Sequence, residues 1–253
     1  MNKDAHRLSF GPAADLYDRV RPRYPVEALR WMLEGRTGLR VVDLGAGTGI
    51  LTRQLIELGH EVIPVEPDPG MRARLNGSVG ADLSVEGSAE HIPLPDGDVD
   101  AVVAGQAYHW FNRELAHEEI ARVLRPGGVF APVWNVRDER VAWVARLSEV
   151  AEHHGDDERE PGSFGDRFGP LEKALFPFER PCSPDLLVDL VKSRSYYLAA
   201  PPDTQSKIEQ AVRTLIADDP ALSGSQEFPM PYVTEAYRAT KLPRRDQGEV
   251  DPV

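Results

Sequence analysis

The sequence predicts an α/β fold: an open, mostly parallel seven-stranded sheet with helices on both faces, plus a helical insertion or lid in the C-terminal half. Three observations carry this. Short runs rich in Val and Ile alternate with stretches of helical period between residues 40 and 137. The first run leads straight into glycines at positions 45, 47 and 49. An acidic residue, Glu66, and an aromatic stretch, Tyr108-His109-Trp110-Phe111, close two later runs. In open α/β sheets, ligands gather at the carboxyl ends of the strands.

Taken in order, residues 12–36 read as two helical pieces broken at Arg21-Pro22-Arg23-Tyr24-Pro25, where two prolines hold the backbone extended. Val41, Val42 and Leu44 make a first strand, Arg40–Leu44, apolar enough to be buried on both faces. Its helix, Thr48–Leu58, puts Leu51, Leu55 and Leu58 on one side, and Gly59 ends it. Glu61–Glu66 is the second strand, with Pro64 a flaw because proline lacks a ladder donor. A short helix over Pro69–Asn76 turns Met71 and Leu75 inward. Asp82–Glu86 is a third strand, Gly87–Gly97 a polar loop and Val99–Ala104 a fourth strand. Asn112 caps a helix over Arg113–Leu124, and Pro126-Gly127-Gly128 turns into a fifth strand, Val129–Trp134. Beyond residue 137 the pattern gives a helix over Glu139–His154, a polar acidic loop to Gly165 and a short helix over Leu171–Phe176. A sixth strand at Phe178–Cys182, helices over Pro184–Ser195 and Thr204–Asp218, and a last strand at Phe228–Tyr237 follow. Residues 241–253 read as a disordered tail.

Composition narrows the function. The chain has 253 residues, 41% hydrophobic and 28% charged, as an ordinary globular protein has. A net charge of −12 argues against a nucleic-acid partner, which usually meets a basic face. Cys182 is the one cysteine, so no intramolecular disulfide forms, and a reducing compartment is expected. The first residues lack an apolar signal core and no run approaches a membrane span, so a cytoplasmic protein with no membrane partner is expected. The histidines and acids near residues 153–158 read as a solvated loop, and no metal site is expected.

The glycine turn lets a ligand lie against main-chain N–H groups with no Cβ in the way. A dinucleotide fingerprint needs Gly or Ala at the sixth position, where this chain has the bulky Ile50. Glu66 follows about 20 positions on. Its carboxylate can accept hydrogen bonds from two ribose hydroxyls and would repel a 2′-phosphate. An NAD-dependent dehydrogenase remains one alternative, and a regulatory protein that binds a cofactor without turnover is another.

Val41-Val42-Asp43-Leu44-Gly45-Ala46-Gly47-Thr48-Gly49 resembles the first motif of the class I S-adenosylmethionine-dependent methyltransferases. Val65-Glu66-Pro67-Asp68 resembles their ribose-binding strand end, and Gly87-Ser88-Ala89-Glu90-His91-Ile92-Pro93-Leu94 their adenine loop. Val99-Asp100-Ala101-Val102 with Gln106-Ala107 resembles the fourth strand and its active-site end, and Leu124–Gly128 the turn before the fifth. Phe10–Pro25 and Tyr108–Phe111 resemble a small-molecule subset that includes trans-aconitate methyltransferase-like proteins. The resemblance implies a Rossmann-like sheet and S-adenosyl-L-methionine as cofactor. It places Gly45, Ala46, Gly47, Thr48 and Gly49 under the methionine part, Glu66 with Pro67 and Met71 near the ribose, and Ser88, Ala89 and Glu90 beside the adenine. Gln106 and Ala107 would close the cofactor site, and Asp43 would orient the loop or meet the cofactor's ammonium through water. Tyr17, Arg21 and Tyr24 would fold over the cofactor as a lid.

Such an enzyme must hold an acceptor atom in line behind the methyl carbon and keep water out. Tyr108, His109 and Trp110 are the candidate catalytic residues: the aromatic faces shape the pocket, and His109 takes a proton from a hydroxyl or amine or positions a carboxylate. Arg21, Arg194 and Tyr197 are the candidates for holding a small-molecule acceptor, with O- or carboxylate methylation favoured. The expected layout is an N-terminal helical lid (1–36), a cofactor-binding core (37–137), completion of the sheet with a helical substrate cap (138–240) and the tail. A monomer or homodimer is expected.

Overall fold

The computed structural model describes residues 14–151 and 160–243. Helices α1 (Ala14–Val20) and α2 (Val26–Met32) lead into β1 (Arg40–Leu44). Then come α3 (Ile50–Glu57), β2 (Glu61–Val65), α4 (Pro69–Val79), β3 (Val99–Gly105), α5 (Arg113–Val123) and β4 (Leu124–Arg137). The second half holds α6 (Ala142–Val150), β5 (Glu172–Cys182), α7 (Pro184–Lys192), α8 (Ser195–Leu198), α9 (Pro202–Asp218) and β6 (Phe228–Thr240). The sheet order is β2-β1-β3-β4-β6-β5. The first four strands run parallel, and β6 pairs antiparallel with both β4 and β5.

Side-chain alternation along the strands builds two cores. Val42, Leu44, Val102, Ala104 and Phe130 face α5 with Ala116 and Ile120. Val41, Val103, Val129 and Ala131 face the other side with Leu29, Met32, Leu51 and Leu55 from α2 and α3. A third core joins α1, α6, α7 and α9 to the ends of β5 and β6 through Val20, Trp143, Leu187, Val212, Met230 and Tyr232. This cluster brings the second half of the chain against the N-terminal helix.

Among the described residues the sheet has six strands, not seven. The stretch expected as a third strand, 82–86, makes a single parallel bridge, Val65 to Val85. Asn76 explains the loss: its side-chain oxygen accepts from the N–H groups of Leu83 and Ser84, at 3.2 and 3.0 Å, so they are not offered to a ladder. β2 therefore ends the sheet. Pro64 is tolerated there because its carbonyl, and so its missing N–H, points outward, where Val85 N–H is the donor met.

The second half differs more. Residues 172–176, expected as helix, belong to β5, whose exposed and half-buried residues alternate with period two. The helix expected from Glu139 begins at Ala142, because Asp138 accepts from Arg140 N–H and Val141 N–H in a tight turn. Pro184–Ser195 splits at Ser193 into α7 and α8. Lys241, expected in the tail, bridges Phe168 and donates to the Leu124 carbonyl. The expected metal-free cluster at His153 and His154, much of the acidic loop, and residues 244–253 lie outside the described residues. No helix among the described residues is long and apolar enough to cross a membrane.

Candidate active site

A cavity of about 560 Å³ opens at the carboxyl ends of β1, β3 and β4. That volume suits a cofactor or small substrate. Its floor is the turn between β1 and α3. Gly45 N–H and Ala46 N–H donate to the Val65 carbonyl, which pins the turn to β2. A Cβ on Gly45 would stand 2.8 Å from the Ala107 methyl, whereas one on Gly47 would meet nothing within 4 Å and would fill the cavity. Glu66, 7% exposed, accepts from Gly47 N–H and Asp68 N–H, each at 2.9 Å, and lines the same floor. Met71, Ser88 and Ala89 extend it.

Asp43 ends β1 beneath the turn. One of its oxygens accepts from Thr52 Oγ1 at 2.6 Å; the other, Oδ1, is buried with no partner among the described residues. Burial pushes its carboxyl up to about 7, the Thr52 hydrogen bond opposing and the Glu66 charge adding. An unpartnered buried acceptor beside a cavity suits a cationic ligand group.

The opposite wall comes from distant parts of the chain. Gln106, at the end of β3, has φ of 57° and donates to the Asn135 carbonyl at 3.0 Å. A glutamine held in this region marks strain that a site can impose. Asn135, on β4, donates to the carbonyls of Pro22 and Arg23 and accepts from Thr234, so it holds the N-terminal bend over the sheet. Asp18 of α1 accepts from Thr48 Oγ1 at 3.0 Å and from Arg53 at 2.5 Å, which fastens that helix to the glycine turn. Tyr17, Arg21 and Tyr24 line the cavity from this segment.

The far end of the cavity is basic. Arg21, Arg137 and Arg194 converge there with Tyr196 and Glu139. Arg137 is 5% exposed, and both its terminal nitrogens lack partners among the described residues; Arg21 Nε and Arg194 Nε lack them too. Burial, and then the neighbouring Arg194, lowers the Arg21 guanidinium to about 10 and lowers Arg137 as well. Arg194 repels both Arg137 and Arg21, whose Nη2 donates to the Ser193 carbonyl at 3.2 Å, and guanidiniums gathered in one pocket suit an anionic ligand group.

Most predicted site residues line this cavity: Asp43, Gly45–Thr48, Glu66, Pro67 and Met71 on one side, Gln106, Ala107, His109 and Trp110 on the other. Four do not. Tyr108 is fully buried, its hydroxyl bonded to His117 Nε2 at 2.9 Å and its ring boxed by Phe130, Trp134 and Phe164. Gly49 packs against Leu75, and Glu90 accepts from Asn112 N–H. Tyr197 turns into the third core, and its neighbour Tyr196 faces the cavity instead.

Comparison with known proteins agrees with this architecture. Residues 42–131 match a family described as a methyltransferase domain. An uncharacterized methyltransferase of Mycobacterium tuberculosis is 43% identical over 233 residues, 92% of this chain and 96% of its own. The chain belongs to the class I S-adenosylmethionine-dependent methyltransferases. A solved structure named as a type II methyltransferase, from Anaeromyxobacter dehalogenans, superposes with a TM-score of 0.65 at 26% identity, covering 88% of this chain and 99% of that one. A malonyl-[acyl-carrier protein] O-methyltransferase of Pectobacterium atrosepticum is 35% identical over 133 residues, about half of each chain.

Membership implies S-adenosylmethionine as the methyl donor and replaces the dehydrogenase alternative. The methyltransferase cavity also contains residues that sequence reasoning passed over: Trp134, Asn135, Arg137, Glu139 and Tyr196. Arg137 carried a readable signal. It is the last residue of β4, at the carboxyl end of its strand as Glu66 is just past β2, and ligands of open α/β sheets gather at those ends.

Proposed function

We propose that this methyltransferase transfers a methyl group from S-adenosylmethionine to an oxygen of a small organic acid. The observation that carries the reading is the cluster of Arg21, Arg137 and Arg194 at the end of the cavity away from Glu66. Under-paired, buried cations are costly unless an anion completes them. A carboxylate held by several guanidiniums is a weak nucleophile, because its charge is already neutralised. The cluster therefore anchors one carboxylate, and a second oxygen, itself a carboxylate, reacts beside His109, Trp110 and Gln106. The O-methyltransferase name of the Pectobacterium relative is in line with an oxygen acceptor.

On this reading Gly45, Gly47 and Glu66 hold the donor by its backbone-facing and ribose groups, and Asp43 meets its ammonium. The bound sulfonium supplies an activated methyl group. The chain's own work is to orient, to neutralise the anchoring carboxylate and to exclude water. Trp110, Phe111 and Trp134 wall the reacting end, and Tyr17 covers it from α1. The test is formation of S-adenosylhomocysteine against a panel of mono- and dicarboxylic acids, phenols and amines. Turnover with dicarboxylates supports the proposal. Turnover with neutral phenols or amines in preference to acids overturns it, and cofactor binding without any turnover would favour a regulatory binding protein.

A further inference from the structure

His109 and Trp134 meet inside the cavity wall. Trp134 Nε1–H donates to His109 Nδ1 across 3.4 Å. An indole nitrogen only donates, so Nδ1 must accept. Trp134 has little freedom to do otherwise. It is 1% exposed, and its ring stands at 81° to Tyr108 and 87° to Tyr237, at centroid distances of 6.0 and 5.8 Å. His109 sits on a single 3-10 turn, Tyr108–Trp110, whose first residue is locked in the core by its bond to His117. Both partners are thus held in place by packing.

We infer that Trp134 is a positioning residue: it fixes His109 in the tautomer whose proton is on Nε2, so that His109 meets the acceptor oxygen as a hydrogen-bond donor and not as a base. The inference rests on the methyl-transfer reading of the cavity and sharpens it. A neutral imidazole has one donor and one acceptor nitrogen. With Nδ1 committed to the indole, the ring has no lone pair left with which to take a proton from a hydroxyl or amine. It can still give an N–H to a carboxylate oxygen. The reaction then balances without proton transfer: a carboxylate lone pair forms the new O–CH3 bond, the C–S bond breaks with its electron pair going to sulfur, and the sulfonium becomes a neutral thioether. The acceptor must accordingly arrive ionised, which matches an acid and not a phenol or an alcohol.

Two measurements on the full-length protein test this. The first is two-bond nitrogen–proton correlation NMR on protein labelled with 15N-histidine, assigned with His109→Gln. The expected pattern is an unprotonated Nδ1 and a protonated Nε2 for His109, lost or mixed in Trp134→Phe. A protonated Nδ1 in the wild-type protein, or an unchanged pattern in Trp134→Phe, overturns the inference. The NMR reading needs no acceptor, so it stands apart from failure of the methyl-transfer reading, which would appear as absent turnover with every acid. The second is turnover of the best acid by His109→Gln, whose amide places a donor near the Nε2 position and cannot act as a base, against His109→Asn and His109→Leu. The expected kcat falls less than about tenfold for Gln and further for Asn and Leu. A loss of roughly 10²–10⁴-fold in the Gln variant, the size expected for removal of a general base, overturns the donor role.

Discussion

Arg137→Met should make the protein more stable and less able to bind its acceptor. Arg137 is 5% exposed, its terminal nitrogens have no partner among the described residues, and Arg194 repels it. Methionine preserves the unbranched stem and removes the buried charge. Replacing buried ionic groups with apolar side chains of similar volume gains about 1–4 kcal/mol. The lower half of that range applies here, because the Glu139 charge partly offsets the repulsion. At roughly 2–4 °C per kcal/mol for a chain of this size, the ligand-free melting temperature should rise by about 2–10 °C. The same change removes charge-assisted hydrogen bonds to the anchoring carboxylate, each worth roughly 1.5–3 kcal/mol, and should raise the acceptor's Michaelis constant by at least about tenfold. Differential scanning fluorimetry of the ligand-free proteins and initial-rate kinetics read the two effects. A melting temperature that falls by several degrees would refute the reasoning, because Arg137 would then be a structural cation.

Glu66→Gln should cost both stability and cofactor affinity, because Glu66 already accepts from Gly47 N–H and Asp68 N–H and the amide can satisfy only one of them. An unsatisfied buried N–H costs about 1–3 kcal/mol, so a lower melting temperature and at least about tenfold weaker S-adenosylhomocysteine binding by calorimetry are expected; no change in either would remove Glu66 from the site. Asp43 gives a pH dependence of defined sign. Its folded-state carboxyl, raised to about 7 from an ordinary value of 3.8, makes ligand-free stability fall as pH rises between those values. A cationic cofactor favours the ionised form, so its affinity should rise with pH through about 7, and Asp43→Asn should flatten that profile in calorimetric titrations at constant ionic strength. Tyr197→Phe should leave the acceptor's Michaelis constant unchanged, because the ring sits in the core beside α7 and α9; a large increase would place the hydroxyl in the cavity after all.

The parallel part of the sheet was legible because its strands are apolar on both faces and the glycines mark one turn unmistakably. Asp82–Glu86 misled because its pattern is that of a strand, while the side chain that removes its N–H groups, Asn76, lies on the preceding helix. Residues 172–176 misled because Leu171, Leu175 and Phe176 fit a helical face as well as a strand, and only pairing with β6 decides between them. The floor of the cavity was readable from local motifs. The basic end of the cavity was only half readable: Arg21 and Arg194 stood out as charges beside breaks in helices, but their convergence with Arg137 depends on the third core, which draws α1, α7 and α8 together across the sheet ends. Tyr196 and Tyr197 are neighbours with opposite fates, and nothing in the local sequence separates them.

The most direct measurement is a crystal structure of the protein with S-adenosylhomocysteine and a dicarboxylic acid that it methylates. The expected result has the Glu66 carboxylate on the ribose hydroxyls, one acid group among Arg21, Arg137 and Arg194, and the other facing the sulfur beside His109. An acid seated with the three guanidiniums left uncontacted, or with its reacting oxygen held by them, would contradict the assignment of that cluster as the acceptor's anchor.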